Sequence, residues 1–236
     1  MSRNVSRSQT SSQVFFPSFT DITFVVVFLL ALAFGPQMLR IDSDVGRHLT
    51  LGNYILEKRS IPTRDLLSHT LPNSPRPPYE WLSQVLFALA GRLLGLDGVI
   101  LLTSSLIAIT FALTFVFANR RSKLPFFAFM ITLLAAGASS LHWLPRPHII
   151  TFLLLTIWVE NLEQVRRESP IQLYIFPLIM LFWANLHGGF VFGMLAWFAY
   201  MAGWLWEKWQ RKASDRVGRA LLTIGLTSLL ASMITP

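Results

Sequence analysis

Residues 81–95 read WLSQVLFALAGRLLG, and the orientation of everything after them depends on whether this stretch crosses a membrane. A spanning helix needs about 20 mostly apolar residues. The stretch has only 15, carries Arg92 inside it and follows Pro77 and Pro78. Seven other segments have the length and apolarity of spans or come near it: 21–39, 98–117, 125–142, 148–162, 171–185, 189–207 and 219–235. Hydrophobic residues make up 53% of the 236, charged residues 14%, and the mean hydropathy is +0.51. A soluble domain carries about 25% charged residues. Here the charges fall in short clusters between long apolar runs, so the apolar surface must face lipid.

The basic residues decide the case of 81–95, because cytoplasmic loops of membrane proteins are enriched in Lys and Arg. Suppose the N-terminus is cytoplasmic and 81–95 lies in the interface. The inside segments then hold Arg3 and Arg7; Arg120, Arg121 and Lys123; Arg166 and Arg167; and Lys208, Arg211, Lys212, Arg216 and Arg219. The short outside loops hold Arg146 alone. If 81–95 spans instead, the last three basic clusters move outside. The first arrangement is predicted: an all-α integral membrane protein of seven transmembrane helices, N-terminus inside and C-terminus outside. In it 81–95 is an amphipathic helix on the outer surface. Residues 1–20 form a cytoplasmic tail and 21–236 a single transmembrane domain, with the outer loop 40–97 inside it. His48, His69, His142, His148 and His187 all fall on the outer side or at an outer helix end, with Asp42, Asp44, Asp65 and Glu80.

The absence of cysteine excludes disulfides, thiolate metal sites and a cysteine nucleophile. The formal charge of +8 sits at the ends of apolar segments, which is a mark of membrane orientation, and no nucleic-acid partner is expected. The polar, acid-free N-terminus MSRNVSRSQTSSQVFF precedes a long apolar run with no small-residue cleavage site. A first transmembrane helix is predicted there, not a cleaved signal peptide. Pro236 ends the sequence where the seventh helix would emerge, as in a fragment or a naturally short version.

Within the outer loop, VGRHLTLGNYILEKR (45–59) places Val45, Leu49, Gly52 and Leu56 at helical spacing, capped by Asp42, Ser43 or Asp44. TLPNSPRPP follows with four prolines and no regular structure, and a surface helix starts from Glu80. Four motifs offer chemistry. In IDSDVGRH, Asp44 and His48 are four apart, which suits two metal ligands or a carboxylate orienting an imidazole. The plainer alternative is a capping Asp beside an exposed His48. In RPPYEWL, Arg76 stands before two prolines with a guanidinium fork suited to phosphate, and Glu80 is a candidate base or a helix-start acid. Tyr79 and Trp81 read as interface anchors. HWLPRPH holds His142, Arg146 and His148 between stiffening prolines. A cation so near the membrane needs a partner, either a lipid phosphate or a loop carboxylate. WANLHGG (183–189) brings Asn185 and His187 to an outer helix end, where Gly188 and Gly189 permit close approach. The alternative there is a helix-breaking turn with a satisfied His. No zinc signature, phosphate-cradling loop, nucleophile elbow or dinucleotide fingerprint occurs.

An acidic pair after the first span, an amphipathic loop helix, and RPP opening a surface helix that ends LLGLDG together resemble the integral membrane glycosyltransferases of the GT-C fold. These include the protein O-mannosyltransferases and the aminoarabinose transferases that act on lipid A. The resemblance covers nearly the whole chain in layout, with its motifs concentrated in 40–98. It implies transfer of a sugar from a polyprenyl-phosphate-linked donor on the outer face of a bacterial cytoplasmic membrane. Residue by residue, Asp42 or Asp44 matches the family's first-loop Asp, a base or ligand of a divalent metal. Arg76 sits where the aminoarabinose enzymes place a basic residue near the donor phosphate. WANLHGG and PYEWL are also similar to segments of bacterial membrane proteins of this fold. Two departures stand out: HWLPRPH has no acid where the family often has its second acidic motif, and the family's further helices and soluble C-terminal domain are absent.

The leading expectation is therefore a glycosyltransferase of this type, or its N-terminal module. Asp42, Asp44 and Glu80 are its catalytic candidates. Arg76, Arg146, His148, His187 and Asn185 would bind substrate or phosphate, and Asp44 and His48 would hold a metal. Its partners are membrane lipid and the polyprenyl carrier. The alternative is a non-catalytic scaffold subunit of a larger membrane complex. A transporter fits less well, since the spans hold no mid-membrane carboxylate.

Overall fold

The computed structural model describes residues 17–71, 74–75, 77–212 and 214–236. The predicted tail over 1–20 therefore lies almost wholly outside the described residues. The fold is all-helical, 77% helix, with no strand among the described residues. In chain order the helices are α1 (Phe19–Ile41), α2 (Val45–Lys58), α3 (Trp81–Ser122), α4 (Pro125–Ser139), α5 (His148–Arg166), α6 (Ile175–Leu186), α7 (Phe190–Trp209) and α8 (Asp215–Ser232). A single 3-10 turn, Ser140–His142, prolongs α4. Three of these, α1, α3 and α4 with its 3-10 turn, are long and apolar enough to cross a membrane.

Local chemistry sets the boundaries. Ser18 and Asp21 form a reciprocal capping box at the start of α1: the Asp21 N–H donates to Ser18 Oγ at 3.2 Å and the Ser18 N–H to Asp21 Oδ2 at 2.8 Å. Pro125 opens α4 at a position where its missing N–H costs nothing. The 42-residue α3 is two helices joined at a break, Leu94 (φ −136°) and Gly95 (φ 63°, ψ −149°). The second backbone pair is open essentially to glycine alone. The chain turns so sharply there that Gly98, at the start of the second arm, lies against the Ala90 backbone of the first.

Contacts sort the helices into a bundle with two distinct ends. Phe19 at the start of α1 packs on Phe115 and Phe129, with ring centroids 6.3 and 5.4 Å apart, while Gly35 near its other end meets Ile100. The second arm of α3 therefore runs antiparallel to α1. Arg121 with Glu160 and Lys208 with Asp215 (2.9 Å) join the end that holds Phe19. At the opposite end Arg146 meets Asp42, Trp81 meets Asn185, and Asn185 Nδ2 donates to the Ile234 carbonyl at 2.8 Å. The first arm of α3 begins and finishes at this same end. There it lies on α2, Arg92 Nε donating to Asn53 Oδ1 at 2.6 Å.

Two apolar clusters fill the bundle and α5 contributes to both. Val27, Ile107, Phe111, Trp143 and Ile149 form one, and Trp158, Leu162, Phe176, Trp183 and Ile224 the other. Around them Leu29, Phe34, Phe127, Ile131, Phe192, Phe198 and Leu226 are exposed. Such a belt of large apolar side chains is incompatible with water over this extent. Several threonines inside the helices spend their hydroxyls on their own backbone. Thr103, Thr110, Thr132 and Thr156 each donate to the carbonyl four residues back, at 2.7–2.8 Å.

Two expectations need correction. The buried face of α2 is Val45, His48, Leu51, Gly52 and Ile55, not the stripe through Leu49 and Leu56. It rotates because the first arm of α3 packs closely at Gly52, where its Gln84 carbonyl leaves no room for a side chain. Segment 171–185 is helical only from Ile175, giving 12 residues to Leu186. Pro177 has no N–H and is tolerated only in a first turn, so the helix starts two residues before it.

Candidate functional site

At the end that holds Asp42, the four sequence motifs meet. Arg146 is presented from a short rigid link between Pro145 and Pro147 and grips both loop aspartates. Its Nε donates to Asp42 Oδ1 at 2.8 Å and its Nη1 lies 3.1 Å from Asp44 Oδ2. The Asp42 side chain is fully buried, whereas Asp44 keeps 40% of its side-chain surface and Arg146 33%. Asp42 Oδ1 also accepts the Asp44 N–H at 2.8 Å, and Asp42 Oδ2 is buried without a partner. Asp44 occupies the N-cap position of α2 but makes no side-chain cap bond. Its carboxylate goes to Arg146 instead, leaving the helix end uncapped.

Beside this triad stands a second network built on His187, where α6 ends and the backbone turns extended. The Gly189 N–H donates to His187 Nδ1 at 3.0 Å, so that nitrogen carries no proton. The Thr151 hydroxyl lies 2.8 Å from the same nitrogen and accepts the Trp183 indole N–H at 2.9 Å, which leaves its own proton for His187. The neutral imidazole is thereby fixed with its proton on Nε2. That atom faces Glu80 Oε1 at 3.5 Å, long for a hydrogen bond. Burial pushes His187 down to about 4, with nearby His148 adding to the effect. Burial raises the Glu80 carboxyl above its ordinary value. Asp44 adds to that rise, while Arg47 and Arg146 oppose it. Glu80 thus sits within the electrostatic reach of the Arg146 triad, and the two networks make one cluster. Trp81 extends it, its Nε1 donating to Asn185 Oδ1 at 2.7 Å.

The predicted residues differ in what they offer. Asn185 has its amide fully engaged, by Trp81 and by the Leu181 and Ile234 carbonyls at 2.8 Å. His148 Nε2 lies 2.8 Å from the His142 carbonyl oxygen. Contrary to the plain alternative, His48 is not exposed: 4% of it reaches solvent and it stacks on Phe87 at 6.3 Å. Burial, with Arg47 beside it, holds His48 down at about 4. It faces the α3 arm and not Asp44, and no group of three His, Asp or Glu among the described residues is placed to hold a metal. Arg76 lies outside the described residues.

Three residues went unremarked in the sequence. Arg47 is exposed, makes no hydrogen bond or ion pair with a described residue, and lines a 310 Å³ cavity with Pro62, Ser68, Pro77 and Tyr79. It sits within the IDSDVGRH motif, one helical turn after Asp44. Thr151 and Trp183 fix the His187 tautomer. Thr151 is one turn along α5 from His148 and Trp183 opens WANLHGG, so helical spacing around each histidine was the signal. A cavity of about 890 Å³ lies at the other end of the bundle and takes no part in this cluster. No family model, curated protein or solved structure matches the chain.

Proposed function

We propose that the chain spans the membrane seven times, N-terminus in the cytoplasm and C-terminus outside. In this reading its outer-end cluster belongs to a glycosyltransferase that uses a polyprenyl-phosphate-linked sugar donor. One observation carries it: Asp42, Asp44, Glu80, Arg146 and His187, drawn from motifs far apart in sequence, converge on one end of the bundle. The belt of exposed apolar side chains and three helices of spanning length support the membrane embedding. The break at Gly95 and the return of the first α3 arm to its own end support an interfacial role for 81–95.

Transfer needs a base for the acceptor hydroxyl and cations for the departing phosphate. Asp42 and Asp44 are already engaged by Arg146. Glu80 is partly desolvated, holds its proton more tightly than an ordinary carboxyl and is the better base. The acceptor oxygen bonds to the anomeric carbon, the carbon–oxygen bond to phosphate breaks with its electron pair leaving on the polyprenyl phosphate, and Glu80 takes the acceptor proton. Arg47 supplies the charge that faces the phosphate. Arg146 holds the aspartates and so shapes the site. One oxygen of each aspartate, Asp42 Oδ1 and Asp44 Oδ2, is taken by Arg146, while Asp42 Oδ2 has no partner, and no step is assigned to a metal. Glu80→Gln is expected to abolish sugar transfer from polyprenyl-phosphate donors in membranes while leaving the protein inserted. Full transfer by both Glu80→Gln and Asp44→Asn would overturn the reading.

The closed Asp42–Arg146–Asp44 triad favours a second reading, a scaffold subunit whose outer end is a structural ion network. A stable stoichiometric complex that purifies with partner proteins and without polyprenyl lipid would select it.

A further inference from the structure

A cavity of about 890 Å³ opens at the end opposite the candidate site. It exists because α5 stops abruptly. Glu168 turns into the left-handed region (φ 53°), Pro170 bars any return to helix, and the chain bulges outward before α6 begins. Arg216 and Arg219 on α8 face this bulge, with Tyr174 and Ser169 opposite and Ile171 and Val217 among the apolar walls.

Several basic residues of this end are already paired. Arg121 is paired with Glu160, Arg166 and Arg167 with Glu163, and Lys208 with Asp215. Arg216 and Arg219 are exposed, and neither guanidinium makes a hydrogen bond or ion pair with a described residue. Asp215, the adjacent acid, feels Arg219 only weakly beside its bond to Lys208. Glu168 is the one acid of the lining, so the cavity is net positive.

We propose that this cavity binds an anionic membrane phospholipid, its phosphate held by Arg216 and Arg219 and its acyl chains lying along the apolar wall. The inference rests on the chain being membrane-embedded but not on any transferase activity. Guanidinium groups present a planar fork that matches phosphate oxygens, and the Tyr174 and Ser169 hydroxyls can serve the ester and glycerol oxygens. The volume falls in the range of about 300–1,000 Å³ usual for ligand sites. Half-apolar walls give nothing to a free anion but suit an amphiphile. By the charge count this end faces the cytoplasmic leaflet, where anionic lipids concentrate.

The test uses the full chain purified in zwitterionic detergent and titrated with phosphatidylglycerol, phosphatidylcholine or inorganic phosphate, read by native mass spectrometry and by thermal unfolding. The expected result is one saturable phosphatidylglycerol per chain that raises the melting temperature, with phosphatidylcholine ineffective. The Arg216→Gln/Arg219→Gln variant should bind roughly thirtyfold more weakly, at about fivefold for each cation lost near the surface. An Arg211→Gln/Lys212→Gln variant, with the same charge loss at exposed positions outside the cavity, should bind as the parent does. Equal loss in both variants would reduce the effect to bulk attraction and overturn the site. Displacement by millimolar phosphate would overturn the lipid in favour of a soluble phosphate ligand. Retention of the protein in carbonate-washed membranes checks the embedding separately, so failure of that premise is distinguishable.

Discussion

Arg146 meets two carboxylates with one guanidinium, and the consequence is a lopsided dependence on the partners. The Asp42 side chain is fully buried, so without Arg146 its charge has no compensation. Removing one partner of a buried pair costs about 3–5 kcal/mol, whereas removing both together is far milder. Arg146→Met should therefore lower stability by about 3 kcal/mol, and adding Asp42→Asn should restore most of it, as read from unfolding in detergent. A structural triad and a catalytic one both predict this recovery, but only the catalytic one predicts that Asp44→Asn changes transfer more than stability. His48 and His187 make the same end sensitive to acid. Both are held at about 4, below the ordinary 6.5, so the unfolded chain takes up protons between these values and the folded one does not. Stability is fully present above pH 6.5 and is lost as pH falls towards 4. The raised Glu80 carboxyl works in the opposite sense, losing stability as pH rises through the acid range. The melting temperature is expected to drop by roughly 5 °C between pH 7 and pH 5, and His187→Gln should reduce that drop. An unchanged profile in the variant would show that His187 is not neutral by burial.

At the level of the element, the two arms of α3 and the α7–α8 pair each rest on a glycine that nothing larger can replace. Gly95 adopts φ 63° and ψ −149°, and a β-carbon there costs about 1–3 kcal/mol. Gly95→Ala should destabilise the protein by that amount and loosen the first arm from α2, which proteolysis of the 60–80 loop would report. Between α7 and α8, Trp197 lies on Gly225 and Trp204 on Gly218, seven residues apart on both helices. Each indole donates to a carbonyl four residues before its glycine, Leu221 in α8 at 2.8 Å and the α8 N-cap Ser214 at 2.9 Å. In the proposed seven-span topology α7 and α8 have little hydrophobic drive to stay together, so close packing and such bonds hold them. Gly225→Leu should cost about 1–3 kcal/mol through overpacking and part α7 from α8, seen as a red shift of tryptophan emission. The spacing of these tryptophans was plain in the sequence, but their partners were not. A helix period shows which residues share a face, not which face of another helix receives them. The same limit explains α2: its helix was legible, while its rotation was set by the close approach at Gly52 on a distant arm.

Across the whole molecule, what was legible is the sorting of residues to two ends, because charge density along the chain carries it. Asp42, Glu80, Arg146 and His187 were all assigned to one side from the basic residues alone, and they do come together. Their pairing was not legible, since Arg146 could as well have kept its fork for a phosphate, and only the packing of α1 and α5 on the shared α3 aims it at Asp42. Whether these two ends are two faces of a membrane is open to a direct test, because the chain contains no cysteine. Thr70→Cys in the loop before α3 and Arg211→Cys after α7 are both exposed positions at opposite ends of the bundle. A membrane-impermeant maleimide applied to intact cells should label Thr70→Cys alone, and Arg211→Cys only after permeabilisation. Labelling of both in intact cells would mean that the first arm of α3 crosses, which would carry α7's far end outside. That arm has too few residues to bridge a hydrocarbon core of about 30 Å at about 1.5 Å per residue. Labelling of Arg211→Cys alone would invert the molecule and put the Arg146 cluster in the cytoplasm. The pattern with Thr70→Cys alone keeps the break at Gly95 as the point where a surface helix turns into a span.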